Sequence, residues 1–198
     1  KKSNEIIFND ETMFKVKKAR IGVLIGTNGE IKKKIEDNLG VIIDINSKTG
    51  DVEINPNLEH PNYDPINVIT AKKIVRAINR GFNPKKAELL VRTGYELAVF
   101  NLMTILGKSR KRIKRVKGRI IGRGGEIRKA IEKYAECYVS VYGKTVSIIA
   151  NFDNLAIARK SINMLISGAP HHTVLRFLED KYNEKKKEQF RQMYKPEF

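Results

Sequence analysis

Two four-residue turns, Gly26-Thr27-Asn28-Gly29 and Gly122-Arg123-Gly124-Gly125, carry the residue types whose spacing can do chemistry in this 198-residue chain. The chemistry they suit is binding, not bond-making. Glycines take backbone angles that other residues avoid, and they leave no side chain between the peptide backbone and a ligand. Each turn opens into an apolar-periodic segment at Glu30 or Glu126, so it sits at a helix N-terminus. Free N–H groups and the helix dipole favour an anion there. A backbone that a sugar-phosphate chain can approach, next to a positive helix end, is a clamp for nucleic acid. The second turn adds cations: Arg123 within it, Lys117 and Arg119 before it, Arg128 and Lys129 after it. The first has none inside, and Lys32, Lys33 and Lys34 follow it. Neutralised phosphates release counterions, so the second turn is expected to contribute more affinity and more salt dependence.

The totals point the same way. A formal net charge of +17 is far from the mixed signs of an ordinary solvated surface and implies a polyanionic partner. No run approaches the roughly 18 apolar residues that span a bilayer, so no membrane partner is expected. Cys137 is the only cysteine, which rules out a disulfide within the chain and suits a reducing compartment. Enzyme readings fail on spacing. Gly107-Lys108-Ser109 and Gly143-Lys144-Thr145 end like a nucleotide-binding P-loop, but Leu102 and Tyr138 stand where its first glycine belongs. His60, His171 and His172 with one cysteine make no metal-ligand pattern. No catalytic residue, metal or cofactor is expected.

The elements that hold the turns repeat. Between Lys108 and Arg119, eight of twelve residues are Lys or Arg, yet Ile113, Val116, Ile120 and Ile121 keep the apolar spacing of a helix. That basic run is therefore expected to decorate a docked helix and to contact phosphate. Ala19 to Ile25 plays the same part before the first turn. Ile31, Ile35 and Leu39 mark the helix after it, with Gly40 as its stop. Val41 to Asn46 and Asp51 to Ile54 read as a hairpin, and Ile66, Ile69, Ile74, Val75 and Ile78 as an amphipathic helix. Shifted by 96 positions, residues 20–49 find eleven identities in the second half, among them Glu36/Glu132. Tyr95 to Leu102 opens the second copy as a strand. Tyr138 to Tyr142 and Lys144 to Ala150 form its hairpin, and Asp153 is expected to cap its last helix. Tyr138 and Tyr142 share one strand face and either stack on bases or pack. Val174, Leu175, Leu178 and Tyr182 form one face of a C-terminal helix that either packs on the second copy or docks a protein.

Helix, G-x-x-G turn, helix, then hairpin and helix resembles the type I KH domain, in which the loop holds about four single-stranded nucleotides. The expected fold is α+β: two tandem type I KH domains, β-α-α-β-β-α each, plus a C-terminal helix. Residues 1–11 are a lead-in, 12–82 the first KH domain, 83–94 a connector, 95–169 the second KH domain and 170–198 a helical extension. Lys32 and Arg128 stand where many KH domains have an aliphatic residue.

The run G-R-I-I-G-R-G-G-E-I-R-K-A-I-E, followed by S-I-I-A-N-F-D-N-L-A-I-A-R-K-S-I-N-M-L-I-S-G-A-P, is similar to a more specific family. It resembles the C-terminal KH domain of a small-ribosomal-subunit assembly factor, the partner of the PIN-domain endonuclease that trims the small-subunit rRNA 3′ end (the Dim-two/partner-of-Nob-one family). An intact first G-x-x-G departs from the eukaryotic members and fits an archaeal relative. The resemblance implies single-stranded pre-rRNA near that 3′ end as ligand, the nuclease as partner, and residence in pre-ribosomal particles of the archaeal cytosol. It implies Gly122, Arg123, Gly124 and Gly125 as the RNA clamp. Two alternatives stand beside it: a protein scaffold on the subunit platform contacting a translation initiation factor, and an RNA adaptor of the exosome type.

Overall fold

The computed structural model describes residues 13–193, and the lead-in expected over residues 1–11 lies outside them. The chain forms two compact units that divide between Asn79 and Arg80. The first unit runs β1 (Met13–Lys15), α1 (Lys18–Ile25), the first glycine turn, α2 (Glu30–Leu39), β2 (Val41–Ile45), β3 (Asp51–Pro56) and α3 (Pro65–Asn79). Its antiparallel sheet has the order β1-β3-β2. The second unit repeats the plan with β4 (Tyr95–Asn101), α6 (Arg110–Ile121), the second glycine turn, α7 (Glu126–Tyr134), β5 (Tyr138–Tyr142), β6 (Thr145–Asn151) and α8 (Phe152–Ile166). Its sheet order, β4-β6-β5, is the same. It adds α4 (Pro84–Ala87), α5 (Leu102–Leu106) and α9 (His171–Met193).

In each unit three helices cover one face of the sheet. Ile35, Leu39, Ile43, Ile54, Ile74 and Ile78 fill the first core. Ile113, Val116, Ile120, Ile131, Ile148 and Ile162 fill the second. The expected stripe on α3 is only partly inside. Ile66 and Ile69 remain 67% and 50% exposed, and burial begins at Ala71, because α3 starts nearly two turns before its buried stretch. One buried polar side chain ties the first unit together: Asn79 Oδ1 accepts from the Lys17 N–H at 3.0 Å, and its Nδ2 donates to the Lys15 carbonyl at 3.0 Å. The cap of α8 is Asn151, whose side chain accepts from the Asn154 N–H at 2.9 Å. Asp153, expected in that role, lies in the first turn, where its charge complements the helix dipole.

The segment expected as a connector does more than connect. Asn83 caps α4 through the Lys85 N–H, and Phe82, Ala87 and Leu90 are buried. The 3₁₀ turn Glu88–Val91 packs on β4, and the Arg80 carbonyl accepts from Ser140 Oγ at 2.9 Å. Gly81 comes so close to β5 that a Cβ there would lie 2.8 Å from the Tyr142 Cβ. Tyr138, Ser140 and Tyr142 thus face this strap on the side of the sheet away from the helices, with the Lys86 ammonium 4.6 Å from the Tyr138 ring centre. The strap half-buries Ser140 and Tyr142, whereas Tyr138 stays 37% exposed.

The first half of α9 buries Val174 and Leu178 against α7 and α8, whereas Phe190 and Met193 near its end are exposed. Glu136, at φ 44° where the first unit has Gly40, is held by Lys185 of α9 and by Asn154 Nδ2 at 3.2 Å. The Lys185 hydrogen bond draws its carboxyl below the ordinary value, and Asn154 adds to this. A depressed carboxyl contributes stability above its unfolded pKa and loses it as pH falls through the folded one. Glu136→Gln is therefore expected to flatten the acid limb of a thermal-denaturation profile below about pH 4.5 and to leave the neutral-to-alkaline limb parallel to wild type. A steeper acid limb in the variant contradicts the assignment. Burial, with Glu132 nearby, pushes the Cys137 thiol up to about 12. Iodoacetamide at pH 8 is expected to leave the native protein unlabelled and to alkylate Cys137 fully in denaturant, which intact mass reads directly.

Candidate nucleic-acid interface

The two glycine turns have the same backbone. Gly26 and Gly122 sit at φ/ψ of 76/179° and 75/175°, a region that is essentially reserved for glycine. Asn28 and Gly124 follow in the left-handed region at φ 52° and 57°, and Gly29 and Gly125 at φ 80° and 82°. Asparagine is among the few residues that tolerate that region, so the first turn keeps the shape without the third glycine. The first glycine of each turn is required twice over. A Cβ on Gly26 would lie 2.5 Å from Ile31 Cγ1, and one on Gly122 would lie 2.6 Å from Ile127 Cγ1. The last glycine is different: next to Gly29 there is nothing within 4 Å, and next to Gly125 only the Lys129 stem at 4.0 Å. That face of the turn is open to an incoming backbone.

Neither α2 nor α7 has a side-chain cap; in their first turns the Glu30 and Glu126 N–H groups donate back to the Thr27 and Arg123 carbonyls of the glycine turn itself. Glu30 and Glu126 lie in those first turns and complement the helix dipole. Each helix is fastened to the hairpin by one carboxylate. Glu36 Oε1 accepts from the Ile43 N–H at 2.7 Å, and Glu132 Oε1 from the Val139 N–H at 2.9 Å. These amides lie on the edge strands β2 and β5, so the pair Glu36/Glu132 sets the spacing between turn, helix and strand edge. In the first unit that arrangement leaves a cleft of about 480 Å³ lined by Gly29, Lys32, Lys33, Ile42, Asn57 and His60.

The residues expected at the interface divide into two groups. Arg123 and Lys129 are exposed beside the second turn and make no ion pair among the described residues. Thr27 and Asn28 are exposed in the first. Lys32 pairs with Glu36 at 3.0 Å, and Arg128 lies 3.8 Å from Glu132, so both cations share the carboxylate that fastens their helix. Lys117 and Arg119 are turned away from the turn. Lys117 Nζ donates to the Gly143 carbonyl of the hairpin at 2.9 Å, and Arg119 Nη2 to the Ala169 carbonyl beyond α8 at 2.5 Å. Sequence proximity placed them with the clamp; helical phase sends them to opposite flanks of α6.

Spacing rules alone do not single out one further pair. Gly22 and Gly118 lie inside α1 and α6, one turn before the loops, and nothing approaches within 4 Å of a Cβ built on either. A helix-interior glycine costs about 1 kcal/mol against alanine, and here it keeps the helix surface low next to the loop. Its signal in the sequence is its identity between the copies. Among the described residues no cluster of His, Cys, Asp or Glu is placed to hold a metal ion, and no helix is long and apolar enough to cross a membrane.

Residues 96–183 match the family profile of the second PNO1 KH domain, described as a eukaryotic type KH-domain (KH-domain type I). The KH domain-containing protein MJ0443 of Methanocaldococcus jannaschii is 40% identical over 178 residues, covering 90% of this chain and 77% of that protein. The RNA-binding protein PNO1 of Oryzias latipes is 28% identical over 69% of this chain, which spans 56% of that protein's length. The crystal structure of Dim2p from Pyrococcus horikoshii matches 85% of this chain and 97% of that one at 44% identity, with a TM-score of 0.78. Dim2p in an a/eIF2alpha–aDim2p–rRNA complex from the same organism matches 87% and 93% at 43% identity, with a TM-score of 0.80.

The two kinds of loop glycine separate in a stability measurement. Gly122→Ala is expected to cost about 2–4 kcal/mol, from a forbidden backbone region plus overpacking on Ile127. Gly125→Ala meets open space and is expected to cost about 1 kcal/mol, from left-handed strain alone. Urea midpoints of the two variants read the difference, and equal midpoints contradict it.

Proposed function

The chain belongs to the Dim2/PNO1 family of KH-domain proteins, and from that premise we propose that it is a non-catalytic assembly factor of the small ribosomal subunit, both of whose units are KH clamps for single-stranded rRNA. The observation that carries the reading is the pair of superimposable turns, each with an open last glycine at an uncapped helix start. The principal site is the second turn: Gly122, Arg123, Gly124 and Gly125, with Lys129 beside it. Its RNA is the region near the small-subunit rRNA 3′ end. The first turn, Gly26 to Gly29, is electrically neutral inside and holds RNA more weakly. The rRNA in the complex of the Pyrococcus relative supports RNA as ligand, and the a/eIF2alpha in that complex supports an initiation factor as a protein partner. The PIN-domain endonuclease is proposed as the enzyme this factor escorts, in pre-ribosomal particles of the archaeal cytosol.

A second reading, a scaffold that acts mainly through protein contacts, draws on that same a/eIF2alpha and on the exposed Ile66 and Ile69 of the first unit. One binding experiment separates the two. Arg123→Asp with Gly124→Asp is expected to weaken binding of a single-stranded RNA from the small-subunit 3′ end at least tenfold and to lower its salt dependence. Thr27→Asp with Asn28→Asp is expected to have a smaller effect, and a scrambled RNA to bind less tightly to wild type. Equal affinity for all three proteins means that diffuse charge holds the RNA, and the clamp assignment falls.

A further inference from the structure

The second unit carries an insertion that the first lacks. Phe14 lies opposite Val52 and Phe100 opposite Val146, so the opening strands correspond at a shift of 86 positions. The loop glycines Gly26 and Gly122 correspond at a shift of 96, which leaves ten extra residues between strand and turn in the second unit. They form α5 and lengthen the helix before the turn from eight residues in α1 to twelve in α6. The insertion is firmly seated. Leu102 and Ile113 are buried, Asn101 caps α5 through the Met103 N–H, and Ser109 caps α6 through the Arg112 N–H.

Its outward residues are cationic. Lys108, Arg110, Lys111, Arg112, Lys114 and Arg115 are all exposed and make no ion pair among the described residues, and α6 holds no acidic residue. Lys111 faces Lys114 and Arg115, and Arg112 faces Arg115, at spacings where like charges destabilise a helix. An ordinary solvated face relieves such pairs with interspersed carboxylates; this one keeps them. Arg112, Arg115 and Arg119 follow at i, i+3 and i+7 along one flank, and with Leu165, Ile166 and Gly168 they line a cleft of about 250 Å³. Arg119 is held there by the Ala169 carbonyl, and its buried Nε–H has no partner. Gly118, next to Arg119 and one turn before the loop, has open space above it.

We propose that Arg112, Arg115 and Arg119 form a second phosphate-binding track, which carries the RNA backbone from the Gly122–Gly125 turn across α6 and lengthens the strand held by the second unit. The inference rests on the RNA-clamp reading above and extends it. Arginine suits such a track because its planar fork matches phosphate oxygens in pairs and is weakly hydrated. Ten residues separate Arg112 from Gly122, about 15 Å of helix axis. A stacked strand advancing about 3.4 Å per nucleotide covers that length in about four steps, in addition to the four nucleotides of a KH groove.

The test uses the full chain and two single-stranded RNAs from the small-subunit 3′ end, a 5-mer and a 12-mer containing it. Four proteins are compared: wild type, Arg112→Ala/Arg115→Ala, the charge-matched Lys187→Ala/Arg191→Ala on exposed α9, and Arg123→Asp/Gly124→Asp. Wild type is expected to bind the 12-mer at least tenfold more tightly than the 5-mer. Arg112→Ala/Arg115→Ala is expected to leave the 5-mer within twofold of wild type, weaken the 12-mer about tenfold, and lower its log–log salt slope by about 1.4. The α9 pair is expected to change neither. Equal wild-type affinity for the two RNAs, equal losses in both double-alanine variants, or equal losses on both RNAs overturns the track while the clamp stands. A 5-mer that binds Arg123→Asp/Gly124→Asp as well as wild type overturns the clamp, and the track with it.

Discussion

An isoleucine pressed against a peptide bond organises both halves of this protein. Ile31 under Gly26 and Ile127 under Gly122 leave no room for a Cβ, so the chain must leave each first helix through a glycine-only conformation. That exit aims the uncapped starts of α2 and α7 at the turn and leaves Gly29 and Gly125 facing open space. Glu36 and Glu132 complete the frame by accepting an amide from the edge strand, so that turn, helix and strand edge hold one spacing. Binding surfaces of this kind gain affinity by being ordered before the ligand arrives.

The same frame carries different charge in the two units. The first turn places Thr27 and Asn28 outward and shares Lys32 with Glu36. The second places Arg123 outward and sits at the end of α6, seven of whose twelve residues are basic and none acidic. Around that frame the second unit gains three supports: the strap of residues 80–91 behind its sheet, α5 before its turn, and α9 across α7 and α8. The supports explain how a helix crowded with like charges stays folded. Ile113, Val116 and Ile120 bury its inner face, while Lys117 and Arg119 fasten its two flanks to the carbonyls of Gly143 and Ala169.

Much of this was legible one residue at a time. Apolar spacing alone located α2, α6, α7 and the first half of α9 within a residue or two, and the alternation around Asp44 located β2. The errors share one cause, a role assigned by local type where a distant neighbour decided it. Asp153 looks like a cap, but Asn151 occupies the capping geometry at the end of β6. Ile66 and Ile69 have helical spacing, yet the sheet does not extend beneath them.

What the sequence determined by itself was the repeated glycine turn, its helical flanks and the excess of positive charge. Those properties depend on backbone sterics, periodicity and composition, all of which act over a few neighbouring residues. Only the tertiary structure decided which cations stand free beside the turn and which are held elsewhere. Helical phase and packing send Arg123 outward, lock Lys117 and Arg119 on opposite flanks of α6, and join Arg112, Arg115 and Arg119 beside the end of α8. A long charged side chain has enough reach and rotamer freedom to go several ways, and the carbonyl or cleft that captures it comes from residues tens of positions away.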